Sequence, residues 1–189
     1  MKKLLLSTLT LLTLTFGYVK TVSAEDTTTD MMAKTSSTMP VAFSDGESAE
    51  VMVTLNEGEI DIGQLAKRKA TNKQVKDYAK MMVDQHKQNE KDTKRVARKQ
   101  DFDFKKTDMS KSLEAQAEDA EKTLKKTAKE DFDRAYMDQQ VMMHEKALNT
   151  VESLIESAQN MAYKAHLEKT RDAITVHLAH AKEVQAMVK

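Results

Sequence analysis

Apolar residues recur at alternating steps of four and three along several stretches of this chain, the period of a helix with one buried stripe. In one stretch the stripe runs Met137, Val141, His144, Leu148, Val151, Ile155 and Ala158. A second runs Val75, Ala79, Met82, His86, Asn89, Thr93 and Val96, and a third Tyr163, Leu167, Thr170, Ile174, His177, Ala181, Val184 and Val188. A fourth carries Val51, Leu55, Ile62 and Ala66, with Glu59 between Leu55 and Ile62. Each long stripe therefore holds one ionisable residue where an aliphatic one is expected. A shorter stripe of Leu113, Ala117, Ala120 and Leu124 predicts a fifth helix over about residues 110–126.

Start signals divide these stretches. Ser44-x-x-Glu47, Thr71-x-x-Gln74 and Thr127-x-x-Glu130 match capping boxes and predict the starts of the first, second and longest helices. Residues 101–106 read as a connection whose Phe102 and Phe104 tuck under the bundle. Gly58 and Gly63 lie inside the first helix, where glycine costs about 1 kcal/mol relative to alanine. Gly63 is one turn beyond Glu59, so it either leaves space beside that carboxylate or lets another helix pack closely. No glycine or proline follows Gly63, which disfavours tight β-hairpins and makes the fold all-α.

Four helices of about 25–30 residues, each roughly 40 Å long, with tight turns inside the first and last pairs, give two antiparallel pairs. The short helix between the second and third long ones supplies a crossover. That is the layout of a ferritin-like four-helix bundle, whose single long connection lies there. Counted from the turns, Glu59, His86, His144 and His177 match in height to within about one helical turn and can meet in one polar layer.

The first 24 residues change the picture of where this bundle works. Lys2 and Lys3, an apolar run from Leu4 to about Val19, and Val22-Ser23-Ala24 predict a signal peptide cleaved after Ala24. Ser and Thr residues interrupt that run, which is short for a span of roughly 20 apolar residues, so no transmembrane segment is expected after cleavage. Residues 25–43, rich in Thr and Ser and holding the only proline, read as a disordered linker, leaving 44–189 as the bundle domain. Without Lys2, Lys3 and Lys20 the chain carries 27 basic and 30 acidic residues, a net charge of −3. That is not the clustered basic surplus of a nucleic-acid partner. The absence of cysteine excludes disulfides, thiolate ligands and cysteine nucleophiles.

Several blocks resemble a known family: Glu59-Ile60-Asp61-Ile62-Gly63-Gln64-Leu65-Ala66, Met81-Met82-Val83-Asp84-Gln85-His86, Phe132-Asp133-Arg134-Ala135-Tyr136 followed by His144, and His177-Leu178. Their order over about residues 43–188 is similar to an exported bacterial ferritin-like family catalogued as a domain of unknown function and sometimes labelled an outer-membrane protein. The resemblance implies a signal peptide, a ferritin-like bundle, a periplasmic location with outer-membrane association among its labels, and no established activity.

The chemistry rests on the polar layer. Imidazoles and a carboxylate suit Zn, Fe, Mn or Cu, so Glu59, His86, His144 and His177 are the candidate metal ligands. Asp133, Tyr136, Gln140 and His180 are the candidate supporting residues around them. Ferritin-type di-iron sites need paired Glu-x-x-His motifs, and no histidine here has an acid three residues before it. Met142-Met143 beside His144 is the one methionine cluster worth considering for Cu(I); methionine at helical spacing otherwise fills cores. No G-x-S-x-G turn, P-loop or H-E-x-x-H is present, and no catalytic residue is named. Two readings follow. One is a metal-binding or redox ferritin-like protein. The other is a non-enzymatic envelope-stress or interaction module, with a protein or envelope partner, whose layer is a structural or pH-sensitive hydrogen-bond network.

Overall fold

Ser44 starts the first helix as its spacing predicts. Its hydroxyl accepts from the Glu47 amide, while the Glu47 carboxylate accepts from the Ser44 amide, closing a capping box. The computed structural model describes residues 43–188 and consists of α1 (Asp45–Lys69), α2 (Lys73–Lys99), α3 (Asp108–Lys126), α4 (Phe132–Ser157) and α5 (Met161–Met187). The predicted signal peptide, and the linker up to residue 42, lie outside the described residues. Phe43, assigned to the linker from sequence, is buried and packs in the core. No helix among the described residues is long and apolar enough to cross a membrane.

The fold is an all-α bundle of four long helices with a shorter crossover helix, α3, between the second and third. Helix α1 packs on α2, α2 on α5, α5 on α4 and α4 on α1, closing a ring, while α3 lies along α1. Two acidic side chains hold the ends of this ring. Asp133, in the first turn of α4, accepts from the Thr71 amide, the Thr71 hydroxyl and the Asn72 amide at 2.6–3.1 Å, clasping the α1–α2 turn. Asp45, in the first turn of α1, accepts from the Gln159 and Asn160 amides and clasps the α4–α5 turn. Neighbours in the ring therefore run antiparallel. Both acids also sit at helix N-termini, where the dipole favours negative charge.

Those contacts explain two departures from the sequence reading. The Thr71-x-x-Gln74 box does not form: Asp133 takes the Thr71 hydroxyl, and Asn72 caps α2 by accepting from the Gln74 amide. Thr127-x-x-Glu130 does not start α4 either. Thr127 ends α3, its hydroxyl bonded to the Thr123 carbonyl and its own carbonyl held by Lys69 Nζ, and α4 begins at Phe132. A capping box the reading passed over, Thr107 with Ser110, starts α3 two residues early.

The buried face of α4 is also rotated from the predicted stripe. Gln140, Ala147 and Leu154 are buried with Met137, His144 and Val151, whereas Val141, Leu148 and Ile155 are half-buried. A full turn of polar chemistry drives this: Gln140 is drawn inward by Glu59. The two interior glycines mark close packing. A Cβ at Gly63 would stand 2.8 Å from Val83 Cγ2 on α2, and one at Gly58 would stand 2.7 Å from Ala117 Cβ on α3. Gly63 thus brings α1 and α2 together rather than leaving room beside Glu59.

Two apolar clusters fill the bundle. Tyr78, Met82, Phe132, Tyr136 and Val184 lie toward the α1–α2 turn; Met52, Val151, Leu154, Tyr163 and Leu167 lie toward the other end. Phe102 meets Tyr163 edge-on at 5.5 Å beneath that second cluster. Between the clusters lies the polar layer.

Candidate metal centre

One helix supplies each member of the layer, because each apolar stripe was interrupted once at the same height. His86 on α2, His144 on α4 and His177 on α5 are 4, 0 and 4 % exposed, more buried than histidine usually is. Their ring centroids form a near-equilateral triangle with sides of 5.4, 5.5 and 5.7 Å. One nitrogen from each ring lies within 4.8 Å of one from each of the others.

Each ring is oriented by a bond to an oxygen. His86 Nδ1 meets Asn56 Oδ1 at 2.9 Å, His144 Nδ1 meets the Gln140 carbonyl at 3.0 Å, and His177 Nε2 meets Gln85 Oε1 at 2.5 Å. A carbonyl oxygen accepts only, so these ring nitrogens donate and the opposite nitrogens keep their lone pairs. Those opposite nitrogens, His86 Nε2, His144 Nε2 and His177 Nδ1, are buried with no partner. Burial, followed by the neighbouring rings His144 and His177, holds His86 well below the usual histidine range. Burial, followed by His144 and His180, lowers His177 to about 4. Near neutral pH these two rings are uncharged, the state in which imidazole binds metal.

The orienting oxygens are themselves held. Asn56 Nδ2 donates to the Met52 carbonyl and to Asn89 Oδ1, and Asn89 Nδ2 donates to Thr170 Oγ1, itself bonded to the His166 carbonyl. This chain links α1, α2 and α5 around His86. Sequence reasoning missed Asn56, although Met52, Asn56, Glu59 and Gly63 share helical spacing and a buried amide among them is a polar interruption like the others. Gln85 left no such signal, since it is exposed and reaches His177 only through the packing of α2 on α5.

Glu59 is in the layer but outside the triangle. Its Oε2 accepts from Gln140 Nε2 at 2.8 Å, and its Oε1 lies 3.6 Å from His144 Nδ1. That is the nitrogen already facing away from the other histidines, so the carboxylate stands behind His144. Gln140 supports the layer twice, through its carbonyl and its amide. The other supporting candidates lie elsewhere. Asp133 is spent on the α1–α2 turn. Tyr136 stacks parallel to Phe132 at 6.3 Å, with its hydroxyl buried and unpartnered. His180 meets the edge of Tyr78 at 5.3 Å and does not join the three rings. Met142 and Met143 flank His144 in sequence but line a cleft between α1, α3 and α4. The fifth histidine, His166, bonds Thr93 Oγ1 through Nε2 and belongs to another layer.

Three converging imidazole nitrogens without a carboxylate among them suit a late divalent ion and fit no di-iron site. A tetrahedral ion with bonds of about 2.0–2.1 Å spaces its nitrogens roughly 3.4 Å apart, so the rings would draw inward slightly on binding. A model of the family described as Domain of unknown function (DUF4142) matches residues 30–184, and the chain belongs to that family. No curated protein and no solved structure matches it.

Proposed function

We propose that this member of the DUF4142 family is a transition-metal-binding protein of the bacterial envelope, with His86, His144 and His177 as ligands and Glu59 steering His144 from behind. The observation that carries the reading is three histidines with nitrogens within 4.8 Å of one another, each ring with one nitrogen bonded to an oxygen and the other buried without a partner. Buried acceptors without a donor are costly, and a metal ion held by the three rings would satisfy them together. Nitrogen donors alone favour zinc or copper over iron and manganese, whose sites draw more on carboxylates. A ferritin-like layout adds nothing to this, since fold is not function. The signal peptide expected to end at Ala24 supports a periplasmic location for the same centre.

The alternative is a structural layer that docks a partner and loosens in acid. Its support is that each of the three layer histidines has one satisfied nitrogen and that burial disfavours the charge on His86 and His177. Mass spectrometry of untagged protein from its native compartment separates the two. Metal binding predicts about one equivalent of zinc or copper per chain, lost in His86→Ala. Metal-free protein in both samples, with His86→Ala melting at lower temperature, would make the layer structural.

A further inference from the structure

Three ring nitrogens occupy three positions of a four-coordinate ion, and the fourth has to be accounted for. Glu59 is the only carboxylate in the layer, and it does not reach: it lies against His144 Nδ1, on the far side of that ring from the unpartnered Nε2. The oxygens of Asn56 and Gln85 are likewise spent on ring nitrogens. Gln140 Oε1 is buried without a partner, but its amide nitrogen is held by Glu59, and among the described residues no further His, Cys, Asp or Glu joins the three rings to close the set as a structural site requires.

Two of the three rings are reachable from outside. His86 and His177 line a cleft of about 210 Å³ walled by α1, α2 and α5, with Asn89, Thr170 and Ala173 also on its walls. His144 does not line it and is fully buried behind them. A larger cleft of about 290 Å³ on the α1, α3 and α4 side reaches Glu59 and no histidine. Among the described residues, the α2–α5 cleft thus approaches the triangle and a separate one approaches the carboxylate. The charges also leave a remainder. A divalent ion on three neutral imidazoles brings two positive charges into the core, and the Glu59 carboxylate offsets one. A buried unbalanced charge is costly, and a single negative charge at the fourth position removes it.

We infer that the metal centre is open, and that its fourth position takes a small singly charged anion arriving through the α2–α5 cleft. This rests on the metal-binding reading above, and it assigns the centre to ligand exchange at the metal rather than to holding the fold together. Water or hydroxide fills the position when no other anion is present, and Asn89 and Thr170 line the way in.

The test uses the full mature chain loaded with Co(II), whose visible absorption reports coordination, and sodium azide as the probe. Azide is expected to change the cobalt spectrum saturably. Ala173→Phe, which adds bulk at an exposed position of the cleft wall, is expected to weaken azide binding by at least about tenfold, equivalent to about 1.4 kcal/mol, with cobalt still bound. Gln88→Trp, on the same wall, serves if Ala173→Phe melts early by circular dichroism. Thr123→Phe, at the other cleft, should leave the azide response unchanged. Bound cobalt whose spectrum ignores azide would overturn the open centre alone. An azide response blocked by Thr123→Phe and not by Ala173→Phe would overturn the route. Failure to bind cobalt at all would overturn the metal-binding reading beneath both.

Discussion

The Asp133 junction and the histidine layer are both polar and both made between helices distant in sequence, yet they are finished differently. At the junction three donors from Thr71 and Asn72 converge on one carboxylate, so the turn is closed on itself. In the layer each ring is fastened on one side and left with a buried, unpartnered nitrogen on the other. The first is what this molecule builds when the purpose is to hold helices in place. His166, bonded to Thr93 and clear of the triangle, is a histidine treated in that way. Buried polar groups are nearly always paired in native proteins, and of the six buried side-chain atoms without a partner among the described residues, four belong to the layer: one nitrogen of each ring and Gln140 Oε1.

Acid should expose the difference most strongly. His86 and His177 are held below the ordinary histidine value, so in metal-free protein the unfolded chain binds more protons below about pH 6.5, for His177 down to about pH 4. Stability is therefore complete above that window and falls as the pH drops through it, by about 1.4 kcal/mol per pH unit for each such ring. Urea denaturation of the metal-free protein across this range checks it. A stability that is flat from neutrality to pH 4.5 would mean the rings are less shielded than their burial implies. Asp133→Ala comes next. It leaves the Thr71 and Asn72 amides without their acceptor, and hydrogen bonds to a charged group contribute about 1.5–3 kcal/mol each without adding fully, so about 3 kcal/mol should be lost. The same variant should keep its metal stoichiometry, which would show that the junction and the layer are separate devices.

How much of this was legible beforehand follows the same division. The stripes carried the helices and put His86, His144, His177 and Glu59 at one height, because rise per residue is fixed and the turns are short. The closed junction was not legible. Thr71-x-x-Gln74 and Thr127-x-x-Glu130 are sound local capping patterns, but Asp133 and Lys69 reach across the fold and claim Thr71 and Thr127. Local rules lose wherever a distant charged group competes for the same hydroxyl or carbonyl. Gln140 was legible as a supporting residue, but the turn of the α4 face that buries Ala147 and Leu154 with it was not, because periodicity counts apolar residues and an amide bonded to Glu59 scores as surface. Height along a bundle axis is readable from spacing, whereas the direction in which a side chain points around that axis depends on its partner.

That last point makes Glu59→Gln the finest probe of the layer. The substitution keeps the shape of the side chain and removes its charge. If Glu59 only filled a polar slot in a structural network, the change would act on the metal-free protein. A carboxylate 1 % exposed with one clear hydrogen bond is expensive to bury, so the variant should then be as stable as the parent or more so, with nothing else altered. If Glu59 steers His144, its charge matters when the ring carries a cation on its other nitrogen. Carboxylates behind ligating histidines typically contribute 10–100-fold in affinity, and the 3.6 Å separation here, longer than a hydrogen bond, argues for the lower end. We expect about a tenfold loss of zinc affinity by competition with a chelator, with unchanged or higher stability in the metal-free state. An affinity within twofold of the parent would place Glu59 outside the working part of the centre and leave His144 positioned by the Gln140 carbonyl alone.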